Sequence, residues 1–286
     1  MPSLSLRESP YFAVLLVLCA EVSMTSSASL AKSMFAMLPP EGVTALRLSC
    51  SALLLCAAFR PWRTGLPRGA WRSTALYGLS LGAMNLLFYL AIGRVPLGVA
   101  VGIEIMGPLT VAALTSRRPV DFCWIGLALA GLSLLLPLRQ CGGALDPLGV
   151  CFAVGAGTCW ALYIVFGKKA GGAGGPVSVC VGMLAGAALV LPIGVHASGA
   201  ALFRPLHLGY GLALGLISSA LPYVLEMAAL SRLPARTFGT LMSLSPGLAA
   251  LSGFLFLGER LDMWQWMGLA CIVAASMGAS ASGRGA

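Results

Sequence analysis

Four ionisable side chains stand inside long apolar stretches of this chain: Glu21, Arg47, Glu104 and Glu226. A charge near the centre of a bilayer costs at least ~2.5–3.5 kcal/mol on insertion scales, so each needs a polar partner, a wet cavity or a transported ion. Carboxylates and a guanidinium together suit two kinds of chemistry, holding a zwitterion and exchanging protons. Glu41, Asp121, Asp146, Glu259 and Asp262 fall at the ends of apolar stretches, where a solvated loop charge explains them.

Glu104 precedes Pro108 by four residues, on one helix face. Proline has no N–H, so the Glu104 carbonyl loses its helical donor. Carboxylate plus freed carbonyl fit an ammonium group or a transferable proton; the competing reading is a structural Glu paired with Arg47. Glu226 shares a face with Pro222 and Tyr223. It suits a proton carrier, or a hydrogen-bonded carboxyl tying helices together. Arg47 cannot readily lose its proton and needs an anion. That anion is a substrate carboxylate, Glu104 or Glu21, and spacing does not choose between them. Asn85 and Tyr89, four apart, and Trp160 and Tyr163, three apart, offer polar and aromatic cavity walls. The last two read equally well as packing or interfacial anchors.

The elements that must carry these residues are helices. The 286-residue chain is 58% hydrophobic and 9% charged, against roughly 25% charged in soluble domains. Apolar runs at 11–31, 42–59, 74–92, 98–115, 120–138, 148–167, 177–195, 209–230, 237–257 and 263–280 give ten candidate spans. Each is expected to be helical, because open strands leave backbone groups unsatisfied in lipid. With this count, 12 basic residues fall on one side and 5 on the other, Lys32, Arg94, Arg139, Arg204 and Arg260. The positive-inside bias then places both termini in the cytoplasm.

The chain also repeats itself. Ala91, Arg94, Pro96 and Pro108 recur at Ala229, Arg232, Pro234 and Pro246, at one offset, and DFCWIGLA (121–128) resembles DMWQWMGLA (262–270). Halves 1–142 and 143–286 would each hold five spans. An odd number sets the second upside down, so the expectation is an all-α integral membrane protein of ten transmembrane helices in two inverted five-helix repeats. Such a fold opens one mid-depth site alternately to either side.

Paired halves and ten spans resemble the drug/metabolite transporter superfamily, EamA branch. The segment SGFLFLGERLDMWQWMGLACIVAASMG (252–278) is similar to that branch's recurrent ending. ASLAKSMF (28–35), GVTALRL (42–48), SRRPVDF (116–122), LPYVLEMAALSRLPARTFGTLMS (221–243) and AASMG (274–278) look like the bacterial threonine/homoserine exporters of that branch. The resemblance implies a multi-pass protein of the bacterial inner membrane that exports small amino acids, driven by proton antiport. Arg47, Glu104, Asn85 and Trp160 would supply a carboxylate binder, an ammonium binder, a hydroxyl partner and an apolar wall. Two positions depart from the family pattern: Ser245 replaces a common Glu before Pro246, and Glu21 adds a carboxyl to the first span. Glu21, with Glu104 and Glu226, is therefore a candidate for proton coupling. Export of another metabolite or drug on the same fold stays open, as does a membrane enzyme or partner subunit.

Other classes find little support. The net charge of +9 is dispersed between apolar runs, which argues against nucleic acid as partner. No GxxxxGK[ST] motif occurs, and GGAGG (171–175) is expected to be a flexible loop. No cofactor is implied. The nine cysteines form no CxxC pair and read as small packing residues, and neither His196 nor His207 has a metal-ligand partner at useful spacing. A signal-peptide reading of the first run would unpair the halves. The GxxxG pairs Gly78/Gly82, Gly98/Gly102, Gly182/Gly186 and Gly211/Gly215 favour close helix contact and leave a homodimer possible.

Overall fold

The computed structural model describes residues 10–115, 119–135, 145–222, 225, 241 and 244–282. Among them every regular element is helical and no strand is present. The helices are α1 (Pro10–Ser33), α2 (Pro40–Phe59), the short α3 (Pro61–Thr64), α4 (Trp71–Ile92), α5 (Leu97–Glu104), α6 (Met106–Thr115), α7 (Pro119–Leu135), α8 (Pro147–Ser198), α9 (Pro205–Gly215), α10 (Ser245–Leu257) and α11 (Met263–Ser282). Among the described residues five helical segments are long and apolar enough to cross a membrane: Val14–Ala36, Pro40–Phe59, Trp71–Ile92, Pro147–Gly167 and Val177–Phe203. Leu97–Val111, Phe122–Leu134, Ser245–Leu257 and Met263–Gly278 are shorter apolar helices. The apolar runs at 209–230 and 237–257 are described only in part, and the second copy of the repeat falls mostly outside the described residues.

Local sequence sets the helix ends. Pro40 opens α2 with Glu41 in its first turn, and Asp146 caps α8 by accepting from the Leu148 N–H ahead of Pro147. Arg94 and that N–H hold the Asp146 carboxyl below the usual carboxylate range. α10 stops at Gly258, whose φ of 66° only glycine adopts readily.

The run at 98–115 is two helices rather than one. α5 ends at Glu104, Ile105 is a turn, and α6 begins at Met106. Pro108, which cannot donate to the Glu104 carbonyl, accounts for the break.

The runs at 148–167 and 177–195 both lie in α8, whose backbone stays helical through 171–175, where a loop was expected. α8 is nevertheless bent back on itself. Tyr77 faces both Gly167 and Gly182, which a straight helix would separate by about 22 Å. The Ser178 hydroxyl donates to the Ala170 carbonyl at 2.9 Å, closing the corner. The first limb descends antiparallel to α4, with Gly155 at Leu87 and Gly149 at Arg94. The second climbs beside it, with Gly182 at Gly78 and Gly186 at Gly82.

Glycine sets these approaches. A Cβ on Gly78 would lie 2.2 Å from the Gly182 carbonyl oxygen, and one on Gly107 only 1.9 Å from that of Gly157. Gly78/Gly82 and Gly182/Gly186 thus meet each other inside one chain, and Gly211/Gly215 meet α2 at Leu46, Cys50 and Ser51. Gly107→Ala must push backbone apart, at a typical overpacking cost of ~1–3 kcal/mol. The expected result is a fall of at least ~2 °C in the melting midpoint of the purified protein. Gly126→Ala, with nothing within 4 Å, is the control that should not fall.

One end of the bundle gathers the connections after α1, α4 and α10. Lys32 Nζ donates to Glu259 Oε1 at 2.6 Å and to the Val95 carbonyl at 2.9 Å, while Glu259 Oε2 accepts from the Leu97 N–H at 2.8 Å. Arg94 and Asp146 pair at the same end, at 2.8 Å.

Candidate functional site

A cavity of about 150 Å³ sits between α1, α2, α4, α5, α8 and α10. Arg47, Asn85, Tyr89, Glu104 and Trp160 all line it. They come from α2, α4, α5 and the first limb of α8, and the i, i+4 spacing of Asn85 and Tyr89 brings both to it. The volume suits a small solute, since drug-sized ligands occupy pockets of ~300–1,000 Å³.

Arg47 is buried in the middle of α2. Its Nη1 donates to the Ser218 hydroxyl at 3.0 Å and its Nη2 to the Asn85 side-chain oxygen. The guanidinium carbon lies 4.9 Å from the centre of the Tyr89 ring, a cation–π contact. Its Nε has no hydrogen-bond partner among the described residues. The Asn85 amide is also engaged, donating to the Leu81 carbonyl at 2.8 Å. Asn85 thus holds the guanidinium in place in this conformation.

Glu104 is buried at the last residue of α5, against the cavity. Gly157 packs on its backbone, where a Cβ would lie 2.7 Å from the Glu104 carbonyl oxygen. Arg47 forms no ion pair within 4.0 Å with Glu104. A direct Arg47–Glu104 bridge is therefore absent among the described residues. Both side chains border one cavity.

Glu21 is buried on α1 and accepts a hydrogen bond from the Ser245 hydroxyl, and Ser245 lines the cavity. The Glu21 carboxyl of α1 therefore reaches Ser245 at the start of α10. Tyr163 does not reach the cavity. Its ring centre lies 4.9 Å from that of Tyr77, and both line a separate hollow with Gly167 and Ser178. Three residues along a helix advance ~4.5 Å, enough to carry Tyr163 beyond the wall that Trp160 occupies. Glu226 and Tyr223 lie outside the described residues.

Sequence reasoning missed Ser218, Thr25 and Ser27 as cavity residues. Hydroxyls are frequent in the apolar runs, and nothing in their spacing marked these. A π-helical turn at Leu216–Ala220 presents Ser218 to Arg47. No group of three or more His, Cys, Asp or Glu residues suited to a metal occurs among the described residues.

The EamA-like transporter family matches residues 147–281. The threonine/homoserine exporter RhtA of Salmonella typhimurium (strain SL1344) is 50% identical over 280 residues, covering 98% of this chain and 95% of the relative. RhtA of Escherichia coli (strain K12) is 50% identical over 281 residues with the same coverage. A solved structure at 20% identity superposes with a TM-score of 0.59, covering 95% of this chain and 97% of its own, which shows a shared fold. With a relative this similar along nearly the whole chain and a cavity walled by helices from both halves, the chain belongs to the EamA-like transporter family.

Proposed function

We propose that this protein exports small amino acids of the threonine and homoserine type, by proton antiport and alternating access. The observation that carries the reading is the pair of opposite charges, Arg47 and Glu104, bordering one small cavity without bridging each other. An α-amino acid is a zwitterion whose carboxylate fits Arg47 and whose ammonium fits Glu104. Trp160, with Val101 and Ala249, supplies the apolar wall. The identity to RhtA supports this class of solute, and the size of the cavity favours it over a drug.

Proton coupling falls to Glu104 and Glu21, with Glu226 a candidate by its place in the sequence. Glu21 adjoins the cavity through Ser245, so protonation there can be felt by the solute's surroundings. The ten apolar runs, in halves 1–142 and 143–286, support two inverted five-helix repeats with both termini in the cytoplasm of an inner-membrane protein. Glycine surfaces engaged within the chain remove one reason to expect a homodimer.

The test is labelled threonine efflux from liposomes holding the purified protein, with and without a pH gradient. The expected result is saturable flux that speeds when the opposite side is acidic. Absence of flux for threonine, homoserine and other small amino acids would refute the reading. Flux indifferent to the gradient would remove the proton and leave the solute.

A further inference from the structure

Polar contacts recur along the seam where α1 meets α10 and the turn after it. At the cavity, Ser245 donates to Glu21. Further along, the Ser252 hydroxyl meets that of Ser29 at 2.7 Å and donates to the Thr25 carbonyl at 3.1 Å. At the outer end stands the Lys32–Glu259 pair. Thr25 and Ser245 also line the cavity, so the seam's inner edge is cavity wall and its outer edge is the end of the bundle.

We infer that this seam is the gate through which the cavity opens toward that end, with the Lys32–Glu259 pair as its latch. The latch fastens three segments at once. Lys32 holds the Val95 carbonyl from α1, and Glu259 holds the Leu97 N–H from the turn after α10. Leu97 itself lines the cavity, so freeing its N–H loosens the wall directly. Gly253 makes room for the carboxylate, since a Cβ there would lie 2.5 Å from Glu259 Oε2.

Physical chemistry distinguishes this seam from the glycine contact of α4 with α8. The α4–α8 contact is backbone against backbone at Gly78, Gly82, Gly182 and Gly186; parting it loses close packing, with nothing gained from water. Hydroxyls and a partly exposed ion pair, with side chains 20% and 14% exposed, exchange their partners for water when they part. A surface that stays satisfied both shut and open is suited to move.

The inference rests on the cavity being the transport site, but its test needs no solute. Ala28→Cys places a thiol on the cavity wall, and a membrane-impermeant maleimide reports its access in the full-length protein in liposomes. The same chain without Ala28→Cys measures the native cysteines. Glu259→Gln and Lys32→Met should each speed labelling by about tenfold or more, the scale set by losing hydrogen bonds to a charged group. Arg94→Gln, which breaks the other ion pair at this end, should leave the rate unchanged. Unchanged labelling in both latch variants overturns the inference, and so does an equal rise in Arg94→Gln, which would mean general loosening. If labelling behaves as expected while no amino acid is carried, the gate stands and the solute assignment falls.

Discussion

Glu104→Gln is expected to lower the threonine efflux rate by at least ~30-fold, with protein yield and membrane insertion unchanged. The magnitude follows from the role. Removing one partner of a buried, hydrogen-bonded charge pair typically costs ~2–5 kcal/mol, and each 1.4 kcal/mol is tenfold. The amide keeps the shape of the carboxyl. Among the described residues no ion pair within 4.0 Å ties Glu104 to the protein, so folding is expected to lose little. Efflux from preloaded liposomes measures the effect, and melting of the purified variant checks the fold. Export at the wild-type rate would make Glu104 structural and would leave the ammonium of the solute without a partner.

The second large effect is at Arg47. Arg47→Lys keeps the charge and loses the fork that reaches Ser218 and Asn85 together over the Tyr89 ring. A lysine ammonium is a compact point charge and does not replace a planar guanidinium at such a site. The expected result is a half-saturating threonine concentration raised by about tenfold or more, and Arg47→Met should abolish export. Losing one hydrogen bond to a charged group, at ~1.5–3 kcal/mol, sets that scale. Concentration-dependent efflux separates affinity from maximal rate. A change in rate alone, with affinity intact, would assign Arg47 to holding α2, α4 and the Ser218 turn together.

Much of this arrangement was legible because a bilayer imposes simple rules. Apolar runs marked the helices, and the cost of a buried charge marked Arg47, Glu104 and Glu21, which the structure places in or beside one cavity. Pro108 marked the freed Glu104 carbonyl, a purely local effect, but 98–115 was expected as one helix and the structure breaks it there. What did not show was long-range. Ser218 meets Arg47 across 171 residues, and no periodicity encodes that. Tyr163 shares a helix face with Trp160 yet packs on Tyr77, because it stands almost one turn further along α8, past the cavity wall. GGAGG reads as a loop by composition, and α8 does reverse around it, but the backbone there keeps helical turns. The glycine pairs were visible as pairs, and their partners were not.

Those partners lie on opposite sides of the chain's midpoint. α4 is gripped by α8, Gly131 of α7 abuts Gly268 of α11, and Gly98 of α5 abuts Ala250 of α10. The two halves of the sequence interlock like clasped hands, each completing surfaces the other leaves bare. Carrying both on one polypeptide fixes them at equal number, and keeps their tacky glycine faces from ever meeting strangers in the lipid.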